Sequence, residues 1–286
     1  MITLEPPADG QTPVRALTIA GSDSGGGAGI QADMRTMALS GVHGCVAITA
    51  VTVQNSVGVT GIHEIPPETV AAQVRSVVTD IGVSAAKTGM LASAPIIDAV
   101  VAVCAELGIG GGGDIPLVVD PVCASMHGDP LLALDALDSV RQQLIPQATL
   151  VTPNLDEVRL ITGIDVVDDG TQHKAAAALV ELGARWALVK GGHLRSSDES
   201  PDLLYDGDRF HEFRTVRVPT GHDHGGGDTL ASAITCALAH GFSMPEAVEY
   251  GKAWVHRCLQ AAYPLGHGHG PVSPLWRLSG PDRALD

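Results

Sequence analysis

The stretch from His224 to Ile234 reads His-Gly-Gly-Gly-Asp-Thr-Leu-Ala-Ser-Ala-Ile, with one carboxylate between three glycines and an apolar run. Glycine has no Cβ, so Gly225, Gly226 and Gly227 can turn their N–H groups toward a ligand. Joined to the start of a helix, such N–H groups make an anion hole. A carboxylate beside that hole is poorly placed to bind phosphate. It is well placed to take a proton from a hydroxyl that attacks a phosphate. Asp228 also has a plain structural reading as an N-cap, which is worth about 1 kcal/mol. Position alone leaves both readings open.

Other polar residues collect where short apolar runs end. Gly21 opens the loop Gly-Ser-Asp-Ser-Gly-Gly-Gly-Ala-Gly, and Asp33 follows one turn into the next segment. Gln54 and Asn55 end a second run. Thr88, Gly89 and Met90 end a third, and Asp120, Pro121 and Val122 a fourth. Asn154 and Glu157 follow the fifth, and Lys190, Gly191 and Gly192 the sixth. Ligands of open α/β sheets bind beyond the carboxyl ends of the strands. Six such positions in series point to a small-molecule site along one sheet edge.

The elements that would position them alternate. Strands are expected at 17–20, 46–53, 84–87, 117–120, 149–152 and 186–190, with a hairpin over 203–218 turning near Asp206-Gly207-Asp208. Helices are expected at 30–40, 68–80, 94–107, 131–144, from 155 to 162, 173–182, 229–240 and 244–262. The glycine run 110–113 reads as a loop. Strands alternating with helices imply βαβ units and a mostly parallel sheet covered on both faces. There is no internal repeat and no long linker, so a single domain over 15–280 is expected, between a disordered tail at 1–14 and a short tail at 281–286.

Composition narrows the function. The 286 residues carry a net charge of −15 with only 17 Lys and Arg. This argues against nucleic acid or an anionic membrane as partner, since both need basic surface. A phosphate ligand must then be held by backbone N–H groups, a metal ion and one or two lysines. No apolar run approaches the roughly 18 residues of a membrane span, and the first 15 residues lack a signal-peptide pattern, so a cytoplasmic enzyme is expected. Five cysteines without a C-x-x-C suggest neither disulfides nor a zinc ribbon. The His-x-His pairs 222/224 and 267/269 lack the further ligands that zinc needs, and His224 is expected to orient the glycine loop. A strict G-x-G-x-x-G does not fit the first glycine loop, and no G-x-x-x-x-G-K-[ST] occurs, which disfavours a dinucleotide-binding dehydrogenase and a P-loop NTPase.

The motifs LTIAGSDSGGGAGIQAD, ITAVTVQN, KTGML, VVDPV with SMHGDPLL, TPNLDE, VKGGH, HGGGDTL and GHGHGPVSP together resemble the ribokinase superfamily. Within it the chain is most similar to the hydroxymethylpyrimidine/phosphomethylpyrimidine kinase family of thiamine biosynthesis, from about Ala16 to Leu275. The resemblance implies a three-layer α/β/α sandwich with a mostly parallel central sheet. It implies transfer of the ATP γ-phosphate to a pyrimidine hydroxymethyl group and then to the resulting monophosphate. By the same resemblance Gln54 reads the pyrimidine, and Gly21, Asp33, Met90 and Val122 line its pocket. An amide suits an aminopyrimidine edge because it offers one donor face and one acceptor. Asn154 and Glu157 match an N-x-x-E element that organises magnesium and phosphate, with Glu157 touching the metal through water. Lys190 faces the nucleotide phosphates, Asp120 helps to place phosphate, and Lys252 is a weaker candidate on the nucleotide side. ATP and Mg2+ are the implied cosubstrate and cofactor, K+ remains open, and a homodimer is implied. Pyridoxal kinase of the same superfamily is the neighbouring alternative, and a non-catalytic nucleotide-binding module a more distant one. The loop near Gly21 and residues 125–129 are candidate lids. In one place the chain departs from the family: many members carry Cys in H-G-T-G-C-T where this chain has Asp228.

Overall fold

A computed structural model describes residues 4–123, 131–132, 136–192 and 198–278. The described residues form ten strands: β1 (Arg15–Ala20), β2 (His43–Ile48), β3 (Ala50–Asn55), β4 (Gly58–Glu64), β5 (Ala85–Thr88), β6 (Leu117–Val119), β7 (Leu150–Val151), β8 (Trp186–Val189), β9 (Glu199–Tyr205) and β10 (Phe210–Val216). The α-helices are α1 (Gly29–Leu39), α2 (Pro67–Ser76), α3 (Ala94–Glu106), α4 (Ala136–Ser139), α5 (Ile145–Gln147), α6 (Leu155–Thr162), α7 (Asp169–Glu181), α8 (Gly226–Ala239) and α9 (Met244–Gln260).

Eight strands form one sheet in the order β10-β9-β8-β7-β6-β5-β1-β2. The run from β8 to β2 is parallel, and β9 and β10 continue it as an antiparallel hairpin. Alternation along each strand sends successive side chains to opposite faces. Leu17, Ile19, Val119, Val151 and Val189 enter one core with Ile96, Ile97 and Leu179. Ala16, Val118, Leu150 and Leu188 enter the other with Leu230, Ile234 and Trp254. Helices α2, α3, α6 and α7 therefore cover one face, and α1, α8 and α9 the other. The expected α/β/α sandwich is what forms.

Two expectations are corrected. The run 46–53 is not one strand. Thr49 breaks it: its N–H donates to Ala20 O, its hydroxyl to Met90 O at 2.6 Å, and its carbonyl accepts from Ile65 N–H. β2 stays in the sheet, while β3 leaves it and pairs antiparallel with β4. A run of β-branched residues is equally good strand on either side of that switch, so periodicity does not reveal it. The N-terminal segment is also tied down as far as Leu4, which is 2% exposed and packs in the second core. The candidate lid at 125–129 lies outside the described residues, as do residues 1–3 and 279–286.

Candidate active site

A cavity of about 960 Å3 opens beyond the carboxyl ends of β1, β5, β6, β7 and β8. Of the residues singled out from sequence, Gly21, Gln54, Met90, Asp120, Val122, Asn154, Glu157, Lys190, Lys252 and the run 225–228 all line it. Asp33 does not. Among the described residues no group of three or more His, Cys, Asp or Glu could hold a metal ion.

On one side, a bulge between Val53 and Gln54 turns the end of β3, as bulges re-aim a side chain. Thr52 Oγ1 donates its one proton to Ser22 O at 2.8 Å and lies 3.2 Å from the end of the Gln54 side chain. Ser24 and Gln54 exchange two hydrogen bonds, hydroxyl to carbonyl at 2.6 Å and N–H to hydroxyl at 2.8 Å. The Gln54 amide is thus anchored on one side by Thr52 and faces the cavity with the other. Gly21 and Met90 share the space nearby: a Cβ on Gly21 would lie 2.3 Å from Met90 Cε, the flexible end of that side chain.

The first glycine loop is organised by Asp23, a residue whose role sequence reasoning missed. Asp23 is 2% exposed. Its carboxylate accepts the N–H groups of Gly25, Gly27 and Ala28 at 2.7–2.9 Å and contacts His224 Nε2 at 2.9 Å. Burial alone would raise its pKa. The His224 hydrogen bond and the backbone N–H groups outweigh burial and hold the carboxyl below its ordinary range. Through Asp23, His224 thereby ties the first glycine loop to the start of the second. The sequence signal was an Asp just ahead of a glycine run, the arrangement in which a short side chain caps its own loop.

In the centre stands Asp228, in the first turn of α8. It is not the N-cap: Gly225 holds that position with φ +75°, and no side-chain cap bond is made. The anion hole also differs from expectation, because Gly226 N–H is given to Asp223 O at 3.0 Å. Within the run 225–229 the N–H groups of Gly225, Gly227 and Asp228 have no partner among the described residues. Burial raises the Asp228 pKa to about 6, against the opposing charge of Lys87 and with help from Asp33 and Asp120.

On the other side Lys190 Nζ donates to Asp120 Oδ1 at 2.9 Å, and Thr152 Oγ1 to the same oxygen at 3.1 Å. A Cβ on Gly227 would lie 3.3 Å from Asp120 Oδ2 and 3.4 Å from Lys190 Nζ, so this pair borders the helix start. Asn154 and Glu157 form the capping box of α6, with reciprocal bonds of 2.8 and 2.9 Å. The N-x-x-E motif thus has a structural task of its own. Glu157 still faces the cavity, and burial lifts its pKa to about 7 despite Lys190 nearby. Lys252 is committed to Asp202 at 2.6 Å and to Ser200 O at 2.9 Å, while Asp202 also accepts Gly191 N–H. It ties α9 to β9 and to the loop after β8.

Asp33 is fully buried beneath this floor, bonded to Thr18, Ser232 and Lys87. Helical geometry explains the error: one turn into α1 the side chain points back at the sheet, not at the loop. Lys87 was missed altogether. Its signal was a lysine inside the buried strand pattern Ala-Ala-Lys-Thr.

One consequence concerns stability. A carboxyl raised from 3.8 to about 6 by the fold is carried neutral at no cost below about pH 4, and its ionisation opposes folding above about pH 6. Asp228→Asn is therefore expected to stabilise the unliganded protein at pH 8 by on the order of 2–3 kcal/mol, and to leave it unchanged at pH 4. Scanning calorimetry at the two pH values checks this, and a gain of equal size at both would contradict it.

A parallel sheet with unpartnered N–H groups, two buried acids and a lysine converging beyond its carboxyl ends is the site of a small-molecule phosphotransferase. The chain matches the phosphomethylpyrimidine kinase family model over residues 23–273 and belongs to that family. A hydroxymethylpyrimidine/phosphomethylpyrimidine kinase of Mycobacterium tuberculosis is 67% identical over 278 residues, covering 97% of this chain and 99% of that protein. A Bacillus subtilis pyridoxal kinase solved as an ADP complex superposes with a TM-score of 0.84 at 32% identity, over 94% of this chain and 100% of that one. A phosphomethylpyrimidine kinase of Clostridium difficile superposes at 0.74 with 36% identity, over 85% and 98%. The fold is ribokinase-like and the protein is a kinase.

Proposed function

We propose that this kinase uses ATP to phosphorylate 4-amino-5-hydroxymethyl-2-methylpyrimidine and then phosphorylates the monophosphate to the pyrophosphate for thiamine assembly. The observation that carries the reading is Asp228: a cavity-facing carboxylate with a pKa near 6, set among three unpartnered N–H groups in a cavity that also holds the Gln54 amide. The Gln54 amide binds the pyrimidine edge, and Gly21 and Met90 shape the space around the ring. Asp228 takes the proton of the hydroxymethyl group as its oxygen attacks the γ-phosphorus. The N–H groups of Gly225, Gly227 and Asp228 hold the negative charge of the phosphoryl group in transit. Lys190 adds a positive charge beside them, and Asp120 fixes its position.

Magnesium fits the donors present. Glu157 is a carboxylate in the cavity, and a single carboxylate with water and substrate phosphates is a common magnesium environment. Glu157 would hold the ion, which when bound neutralises phosphate charge. The reading includes a homodimer by family resemblance. It also includes a cytoplasmic location, in keeping with described helices of which none is long and apolar enough to cross a membrane.

A second acceptor, pyridoxal, has support from the likeness to the Bacillus subtilis enzyme. Phosphorus NMR with Mg-ATP and each acceptor in turn separates the readings. Pyrophosphate formed from the hydroxymethylpyrimidine is the expected result. Turnover of pyridoxal alone would overturn the assignment.

A further inference from the structure

Lys87 is the largest fully buried side chain in the molecule's described part, and the reaction outlined above does not use it. Its Nζ lies 2.8 Å from Asp33 Oδ1 and 3.7 Å from Asp228 Oδ1. Asp33 is bound on both oxygens, by Thr18 Oγ1 at 2.6 Å on one and by Ser232 Oγ at 2.5 Å on the other, which also takes the lysine. Gly89 lies beside both groups: a Cβ there would sit 3.5 Å from Nζ and 3.7 Å from the Asp228 oxygen, in ordinary contact with each.

From this geometry we propose that Lys87, anchored by Asp33, is a positioning residue that holds the Asp228 carboxylate ionised and correctly aimed for proton abstraction. The inference rests on Asp228 acting as the base. A buried ammonium without a partner costs several kcal/mol, and one carboxylate in good geometry suffices to offset it. Asp33 supplies that partner. The second carboxylate sits at ion-pair distance but beyond hydrogen-bond length, so the lysine stabilises its charge without occupying the lone pair that must accept the proton.

The groups facing Asp228 bear this out from every side. Lys87 approaches from β5, Asp33 from α1, Asp120 from the end of β6, Lys190 from the end of β8, and Gly29 N–H from the start of α1. Of the charges acting on Asp228, Lys87 has the strongest effect and lowers its pKa, whereas Asp33 and Asp120 raise it. Burial would lower the pKa of Lys87 itself, but its three acidic neighbours, Asp33 foremost, hold it above its ordinary value, so it stays charged across the working pH range.

The test is the pH dependence of kcat between pH 5 and 9 for the wild type, Lys87→Met, Asp33→Asn, Lys87→Met/Asp33→Asn and Asp228→Ala, with the double variant read against Asp33→Asn because Asp33 itself raises the Asp228 pKa. The double variant removes both buried charges together, so it folds even where the single one, with Asp33 left unpaired, does not. Loss of a cation within 4 Å is expected to move the Asp228 limb up by about one unit. The ratio of kcat at pH 6 to kcat at pH 8 then falls several-fold further than in the wild type, while KM for ATP stays within twofold. Asp228→Ala removes the limb that belongs to Asp228. If the double variant folds and its limb coincides with that of Asp33→Asn, Lys87 is merely structural and the proposal is overturned. If Asp228→Ala keeps the full wild-type limb, it is the reading of Asp228 as base that fails instead.

Discussion

Replacing Asp228 by alanine is expected to slow phosphorylation of the hydroxymethyl group by about 10²–10⁴-fold, the range that general-base assistance supplies, and to slow phosphorylation of the monophosphate far less. The two acceptors differ in the proton they must lose. An alcohol is almost wholly protonated at neutral pH, so its attack on phosphorus needs a base within reach. A phosphate monoester has a second pKa of about 6 and is already an anion. For that acceptor Asp228 removes nothing, and its own negative charge opposes the approach. The carboxylate is held in a buried setting where such repulsion is weakly screened, with Asp33 and Asp120 nearby and a chain charge of −15 around it. The variant should therefore lower KM for the monophosphate while it lowers kcat for the alcohol. Steady-state rates with each acceptor supplied separately decide the matter. Equal losses in the two steps would mean that Asp228 acts on the shared phosphoryl group and not on the acceptor proton.

What was legible in the sequence was local. Gly225 to Asp228, Asn154 with Glu157, and Gly21 each lie within a few residues of the strand or helix end that presents them, and the structure brings all of them into one cavity. The layer order was legible for the same reason, since alternation and helical periodicity are local properties. What stayed hidden depends on pairs far apart in the chain. Lys87 meets Asp33 across 54 positions and His224 meets Asp23 across 201. Nothing near Lys87 announces that its charge is compensated, and an acid one turn into a helix can as well line a pocket as lie beneath it. The capping box of α6 shows the converse. There a motif carried over from a family had a complete local explanation, and only the cavity wall shows that Glu157 also faces the ligand space.

Gly225→Ala is expected to reduce kcat by about 10²–10³-fold, as misplacing an oxyanion donor does, whereas Gly226→Ala leaves kcat within a few-fold of the wild type. The two glycines are neighbours with opposite surroundings. Gly225 holds φ +75°, and a Cβ there would lie 2.0 Å from Gly27 O and 2.9 Å from Gly27 C. The left-handed backbone costs a non-glycine residue about 1–2 kcal/mol, and the contact is with backbone that cannot swing aside. Gly27 and Ala28 are pinned through their N–H groups to Asp23, which is itself held by His224, the residue next to Gly225. Relief of the contact must push the two glycine loops apart and carry the N–H groups of Gly225, Gly227 and Asp228 away from the phosphoryl position. At Gly226 the backbone is already helical, and the nearest atom to a Cβ is Val272 Cγ1 at 3.8 Å. Its N–H is bonded to Asp223 and serves no ligand. Alanine there replaces glycine at a helical position, a change that by itself favours the helix by about 0.5–1 kcal/mol. Kinetics of both variants, with circular dichroism to establish folding, separate two ideas about the run of three glycines. A loss at residue 225 alone means that the run exists to set backbone direction between two loops. A comparable loss at residue 226 in a folded protein would mean that bound phosphate needs the open space itself, and the account of Gly225 through its contact with Gly27 would then be insufficient.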